Sequence, residues 1–241
     1  MSAPKSFETS EAGAVVSKVY AALRMPIVDG DIAPGARINI DAVARKLGVS
    51  QTPVREALQR LEGDDLLIYV PGRGYRTTPM LDLAGLREVF EFRLLIEPWS
   101  ARSAATDRLA NPAIALDNEL SSFERIAGED GDLRQEMLAH DSRFHDIILA
   151  AAGNAVVRKA YAQTHCHLHM FRLSQVDFDG AITMDEHRHI WSAIRGCDPD
   201  EAERAMTEHI KNSYERSARA LGGPVPQIES LAMARETLMS G

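Results

Sequence analysis

No run of about 18 consecutive apolar residues occurs in the 241-residue chain, so a membrane-spanning helix is not expected. Cysteine is scarce. Only Cys166 and Cys197 are present, with no CxxC pair, which argues against a disulfide scaffold and fits a reducing cytoplasm. The opening stretch MSAPKSFETSEAG lacks a basic segment followed by an apolar one, so no secretory leader is expected and the expected location is cytoplasmic. An HExxH helix, a Gly-rich phosphate loop and a nucleophile elbow are also missing, and with them the usual sequence supports for catalysis. Internal repeats and low-complexity segments are absent. Apolar residues, by contrast, make up 45% of the chain, enough for a real core in one large domain or two of ordinary size.

The formal charge of −8 argues against a nucleic-acid partner only until it is divided. Residues 1–80 hold 10 Lys and Arg against 9 Asp and Glu, a balance of +1, which leaves 17 against 26, or −9, for residues 81–241. The acidity belongs to the C-terminal part, and the N-terminal part stays compatible with DNA.

That N-terminal part reads helix, helix, helix, hairpin. In EAGAVVSKVYAALRM, Val15, Val19 and Leu23 fall on one helix face, with Pro26 expected to disturb the helix. After the Pro/Gly loop DGDIAPGARI, the spacing of Ile40, Val43, Ala44 and Leu47 predicts a second helix closed by Gly48. A third begins near Pro53, placed at the first helical position, and buries Val54, Leu58 and Leu61. LLIYV and GYRTT read as two strands joined by the turn PGRG. Together these make a winged helix-turn-helix.

With that stripe inward, Gln51, Thr52, Arg55 and Gln59 face outward from the half of the helix that enters a major groove. Arg can bind guanine O6 and N7, and Gln can bind adenine N6 and N7. Arg73 and Arg76, on or beside the wing, are placed to reach backbone or minor groove. The plainer alternative is that any surface helix carries Gln and Arg.

The stretch LGVSQTPVREALQRLEGDDLLIYVPGRGYR resembles the signature of the GntR family of regulators, and the resemblance covers roughly residues 12–78. It implies that Arg55 is a base-reading residue and Thr52 a contacting one. Gln51 stands where the family commonly has Arg, and Asp41 where some relatives carry another contacting Arg. Those departures bear on the target sequence and not on membership.

Beyond residue 80 the pattern changes to long amphipathic helices, near 81–108, 112–127, 132–152, 155–175, 181–196 and 199–220. The breaks are NP, GEDGD, GN, DFDG and GCDPD, and GGPVP at 222–226 ends the packed region. The expected fold is mainly α: a winged helix-turn-helix over 1–80, an antiparallel bundle of about six helices over 81–222, and a tail over 223–241.

Seven of the eight histidines lie between 140 and 190. Asp141 and His145 are four residues apart and share a helix face, so both can bind one ion. His187 and His209 are separated by two helices and a turn, which brings them to one level of an antiparallel bundle. A carboxylate with three imidazoles suits Zn²⁺, Ni²⁺, Mn²⁺ or Fe²⁺. Single helical histidines are more often ordinary core or surface residues. His165, His167 and His169 are expected to line a wet cavity rather than form a second site. His189 is expected to point elsewhere, and His140 carries no assignment.

The acidic helical part is similar to the FCD ligand-binding domain found in the same family, over nearly all of 82–215. EFRLLIEPWSARSAA resembles the start of that domain and AAGN its break after the third helix. The resemblance implies a metal set at Asp141, His145, His187 and His209. Six helices rather than seven imply the VanR-like branch rather than the FadR-like one.

The leading expectation is therefore a DNA-binding transcriptional regulator and not an enzyme, acting as a homodimer on a two-fold symmetric double-stranded operator. Four protein ligands leave an octahedral ion about two open positions, which a small carboxylic acid effector can occupy. Arg93 and Arg172 are the candidate cationic anchors, though Arg93 can instead pair with Glu97 at i, i+4. Asn154 either touches the effector or caps the next helix. Two other classes stay open: a metal-dependent hydrolase, and a metal-stabilised helical interaction module without effector control.

Overall fold

A computed structural model describes residues 6–106, 108–127, 133–173 and 180–222. The expected break at GEDGD, most of the one at DFDG, and the tail from 223 lie outside these residues. The chain divides between Met80 and Leu81 into two compact units, each with its own core.

In the first unit, α1 (Ser6–Val28) packs on α3 (Gln51–Gly63). Its buried stripe is Val16, Val19, Leu23 and Ile27, and Val15 is only half-buried. Pro26 does not end α1: it is the third residue from the end, where its missing N–H and its ring weaken only the last turn. α2 (Ile40–Leu47) starts at Asn39, whose side chain accepts from the Ala42 N–H, and stops at Gly48 with φ +66°, a left-handed value that favours glycine. α3 starts two residues earlier than expected, after Ser50, so Pro53 is the third helical residue. That position tolerates proline for the same reason as the first, because its N–H has no partner within the helix. Val54, Ala57, Leu58 and Leu61 are fully buried. Each large aliphatic side chain among them contributes about 1.5–3 kcal/mol by burial.

The wing is an antiparallel pair, β1 (Leu67–Val70) and β2 (Gly74–Thr77), with Leu67 opposite Thr77 and Val70 opposite Gly74. The preceding loop adds a bridge that pattern reading did not foresee, Arg37 against Arg76. Buried Thr77 fastens it: its hydroxyl donates to the Ala33 carbonyl at 2.7 Å and accepts from the Ala36 N–H at 2.9 Å.

The second unit contains α4 (Leu83–Thr106), α5 (Ala113–Ala127), α6 (Leu133–Ala151), α7 (Ala155–Ala162), α8 (Cys166–Leu173), α9 (Ala181–Arg195) and α10 (Pro199–Ala220). α4 is central, packed on α10, α6 and α9. Asp198 caps α10 by accepting from the Glu201 N–H, with Pro199 at the first position. The helix expected over 155–175 is two pieces. Thr164 folds its hydroxyl back onto the Tyr161 carbonyl at 2.7 Å, and His165 takes φ +45°, so the chain turns between α7 and α8. Counted as one, they leave six helices among the described residues of this unit; counted apart, seven.

Candidate functional site

Gln51, Thr52, Arg55 and Gln59 are all exposed on α3, the first three in its first half and Gln59 a turn beyond Arg55. Arg55 Nη2 donates to Gln51 Oε1 at 3.2 Å, and Gln51 Nε2 donates to Asp41 Oδ1 at 2.5 Å. Arg73 is exposed in the turn between the strands, whose backbone closes from the Arg73 N–H to the Val70 carbonyl at 2.9 Å. Arg76 spends one donor on the Gly35 carbonyl at 2.9 Å, so it also braces the wing.

In the second unit α6 carries Asp141 and His145 one turn apart, α9 carries His187, and α10 carries His209. Their donor atoms all lie within 4.8 Å of one another. Asp141 Oδ1 is 3.6 Å from His145 Nε2 and 3.5 Å from His187 Nε2. The three histidines are nearly or wholly buried.

Each imidazole has its Nδ1 beside a polar neighbour, hydrogen-bonded in His187 and His209 and at ion-pair distance alone in His145. His209 Nδ1 is 2.8 Å from Glu186 Oε2, His145 Nδ1 is 2.5 Å from Glu97 Oε2, and His187 Nδ1 is 3.0 Å from His140 Nε2. His140 in turn faces Glu119 at 3.1 Å, and Arg143 holds Glu119 through two bonds of 2.9 Å. Phe144 stacks on His187 with centroids 4.0 Å apart and planes 5° apart, which fixes the ring. If each Nδ1 carries the proton, each Nε2 keeps its lone pair. His145 Nε2 and His187 Nε2 are buried and have no hydrogen-bond partner among the described residues, and the same is true of His145 Nδ1, whose close approach to Glu97 lacks hydrogen-bond geometry. A buried nitrogen in that state costs about 1–3 kcal/mol, and an ion between the two Nε2 atoms would satisfy both. Ligand histidines with their other nitrogen held by an acceptor are the usual arrangement around a metal.

Protonation points the same way. Burial drives His187 well below the ordinary imidazole range, helped by neighbouring His209 and His145, and burial also lowers His209 and His140. Burial alone would raise Asp141, but His167 and His145 beside it outweigh that and hold the carboxyl well below its usual range. Neutral imidazole and ionised carboxylate are the forms that bind metal. The residues present thus fit a divalent ion.

His167, expected to line a cavity, also joins the cluster: its Nδ1 is 2.6 Å from Asp141 Oδ2 and its Nε2 is 2.9 Å from the Tyr161 hydroxyl. Tyr161 donates to Glu97 Oε1 at 2.5 Å. Glu97, His145 and His167 form a second group with converging donor atoms. Burial would lower His167, but the negative charge of Cys166 and Asp141 beside it pushes it up to about 10. His189 points away and pairs with Glu201 at 2.8 Å, as expected.

A cavity adjoins the cluster, with Asp141, His167 and His209 on its wall, Arg134 and Arg216 as its cations, and Met170 and Phe171 among its apolar lining. The residues expected to anchor an effector are not there. Arg93 is wholly buried and bound to Glu97 through 2.5 and 3.3 Å contacts, so the i, i+4 pair is the arrangement found, inside the core rather than on the surface. Arg172 is buried on α8 and does not line the cavity. Asn154 caps α7, accepting from the Val156 and Val157 N–H groups at 3.1 Å. The missed cations had a signal. Arg134 lies seven residues before Asp141 and Arg216 seven after His209, two turns away on the same helix faces.

Comparison with known proteins decides the family. The family described as bacterial regulatory proteins, gntR family, matches residues 15–76, and the FCD domain matches 88–212. The chain belongs to the GntR family and carries an FCD domain. This GntR protein is 29% identical to the HTH-type transcriptional repressor RspR of Escherichia coli, over 83% of this chain and 88% of that one. It is 28% identical to the Nta operon transcriptional regulator of Aminobacter aminovorans, over 81% and 90%. A solved structure of a GntR transcriptional regulator from a Rhodococcus species shares the fold with a TM-score of 0.66 at 22% identity, covering 88% of this chain and 99% of the other. The GntR protein is a DNA-binding transcriptional regulator, and its relatives are regulators rather than enzymes. No helix of the described residues is long and apolar enough to cross a membrane.

Proposed function

We propose that this regulator binds a two-fold symmetric operator as a homodimer, and that a small carboxylate bound beside a divalent ion in the FCD domain controls that binding. One observation carries the reading: three buried imidazoles on three helices converge with Asp141, His187 and His209 are hydrogen-bonded at Nδ1, and the buried Nε2 atoms of His145 and His187 have no hydrogen-bond partner among the described residues. Asp141, His145, His187 and His209 would hold the ion, which would supply a Lewis acid for carboxylate oxygen. The rest is supplied by the chain. Arg134 and Arg216 bring guanidinium groups to the cavity wall, Arg216 while also paired with Glu186, with Met170 and Phe171 beside them for a short apolar stem. On DNA, Arg55 reads a base edge with Thr52 and Gln59 beside it, while Arg73 and Arg76 hold the backbone. We also propose the VanR-like branch, a reading that rests on counting α7 and α8 as one interrupted helix.

Effector control needs differential affinity: a shift from 1:99 to 99:1 between two placements of the DNA heads takes about 5.5 kcal/mol. The test is a thermal-shift screen of small carboxylic acids, with and without chelator, followed by operator release with each hit. The expected result is a hit that stabilises only the metal-loaded protein and changes operator affinity. Equal stabilisation of metal-stripped protein, or stabilising hits that leave operator affinity unchanged, would refute the reading.

A further inference from the structure

Gln51 opens α3, where a long polar side chain reaches a major groove, yet its amide is engaged at both ends. Nε2 donates to Asp41 of α2 and Oε1 accepts from Arg55. The orientation of the amide is determined by its neighbours. Turned over, it would set NH₂ against a guanidinium and oxygen against a carboxylate. All three residues are exposed, so no surrounding core presses them together.

Reading an adenine takes both ends of a glutamine amide, the oxygen for N6–H and the nitrogen for N7. A base would therefore compete with Asp41 and Arg55 for the same groups. Its success would leave the Asp41 carboxylate without that donor at a phosphate-rich surface. Arg55 stands differently. A guanidinium has five donors, and spending one on Gln51 leaves enough for a bidentate contact to guanine. A long arginine side chain gives up rotamer freedom when it docks, and a partner that holds it beforehand reduces that loss.

We propose that Gln51 is a positioning residue and not a base reader: anchored by Asp41, it holds the Arg55 guanidinium so that the three residues specify one base position. This rests on Arg55 reading a base, which the Arg55 variant tests separately. The departures at positions 41 and 51 then act together, and the operator loses a contact at Gln51 while the one at Arg55 sharpens.

The test is selection of the full chain on a randomised duplex library, followed by affinities for the selected operator and its single-base variants. Arg55→Ala should lower discrimination at one base position by between about fivefold and a hundredfold. Gln51→Ala should relax that same position by less, spare the others, and add nothing in an Arg55→Ala background. Asp41→Ala should behave as Gln51→Ala does at that position. Relaxation of a different position by Gln51→Ala, effects that multiply with those of Arg55→Ala, or an unaltered profile would each overturn the brace. An Arg55→Ala profile identical to wild type would overturn base reading by Arg55 and the brace with it. Circular dichroism melts establish that the variants are folded.

Discussion

Glu186→Gln probes the layer behind the metal ligands without touching them. The Glu186 side chain is 15% exposed and receives four donors: His209 Nδ1 at 2.8 Å, two Arg216 nitrogens at 2.8 and 2.9 Å, and Asn212 at 3.0 Å. Burial opposes its ionisation, but His209 and Arg216 pull the carboxyl down to about 2, so it is charged at every working pH. Gln keeps the shape and offers one oxygen instead of two. If that oxygen stays with His209, the NH₂ faces the donors of Arg216 and Asn212. If the amide turns over, His209 loses its acceptor and is free to carry its proton on Nε2, which removes the ligating lone pair. Loss of such a partner costs about 10- to 100-fold in metal affinity, or about 1.4–2.7 kcal/mol. Competition for Zn²⁺ against a chromogenic chelator at neutral pH measures this directly. Glu124→Gln is the control, since it removes the same charge from an exposed pair with Arg188. Wild-type affinity in folded Glu186→Gln protein would show that Glu186 does not orient His209 for an ion.

Three further outcomes follow from the same geometry. Metal-free protein should lose stability in acid: His187, His209 and His140 are held neutral by burial, so their contribution is present above the unfolded imidazole value of about 6.5 and lost as pH falls below it. His167, pushed up to about 10, acts in the opposite sense above neutrality; denaturant midpoints across pH check both, and a flat profile contradicts them. Arg73→Ala should weaken all DNA sequences alike and reduce the salt slope by about 1, as fluorescence anisotropy at several salt concentrations would show, whereas a sequence-selective loss would make Arg73 a base reader. Leu58→Ala, at a wholly buried site of α3, should cost about 2–5 kcal/mol in chemical denaturation; a loss below about 1 kcal/mol would mean that the helix is not packed as described.

What the chain revealed before folding was governed by periodicity. Val54, Leu58 and Leu61 carry a spacing that only one helix face satisfies, so the outward set from Gln51 to Gln59 followed from it. Asp141 with His145 was readable because i, i+4 is a single-helix relation. His187 and His209 added a level in the bundle that helix lengths alone constrain. Harder to read were contacts set by which neighbour a helix faces. His140 sits beside Asp141 in sequence but about 100° round the helix, where it meets His187 and Glu119 rather than the centre. The turn between α7 and α8 has neither Gly nor Pro, only Thr164 folding back and His165 in the left-handed region, so no breaker marked it. Arg93 and Arg172 were plausible by charge alone, whereas the cavity takes its cations from positions two turns along the ligand helices.

The most direct test of the central reading is the metal content of purified full-length protein after reconstitution and desalting, compared with that of a His145→Ala/His187→Ala variant. About one divalent ion per chain is expected in the wild type, with its loss in the double variant together with a lower melting temperature. Full metal content in the double variant, or a wild type that retains none, would contradict it.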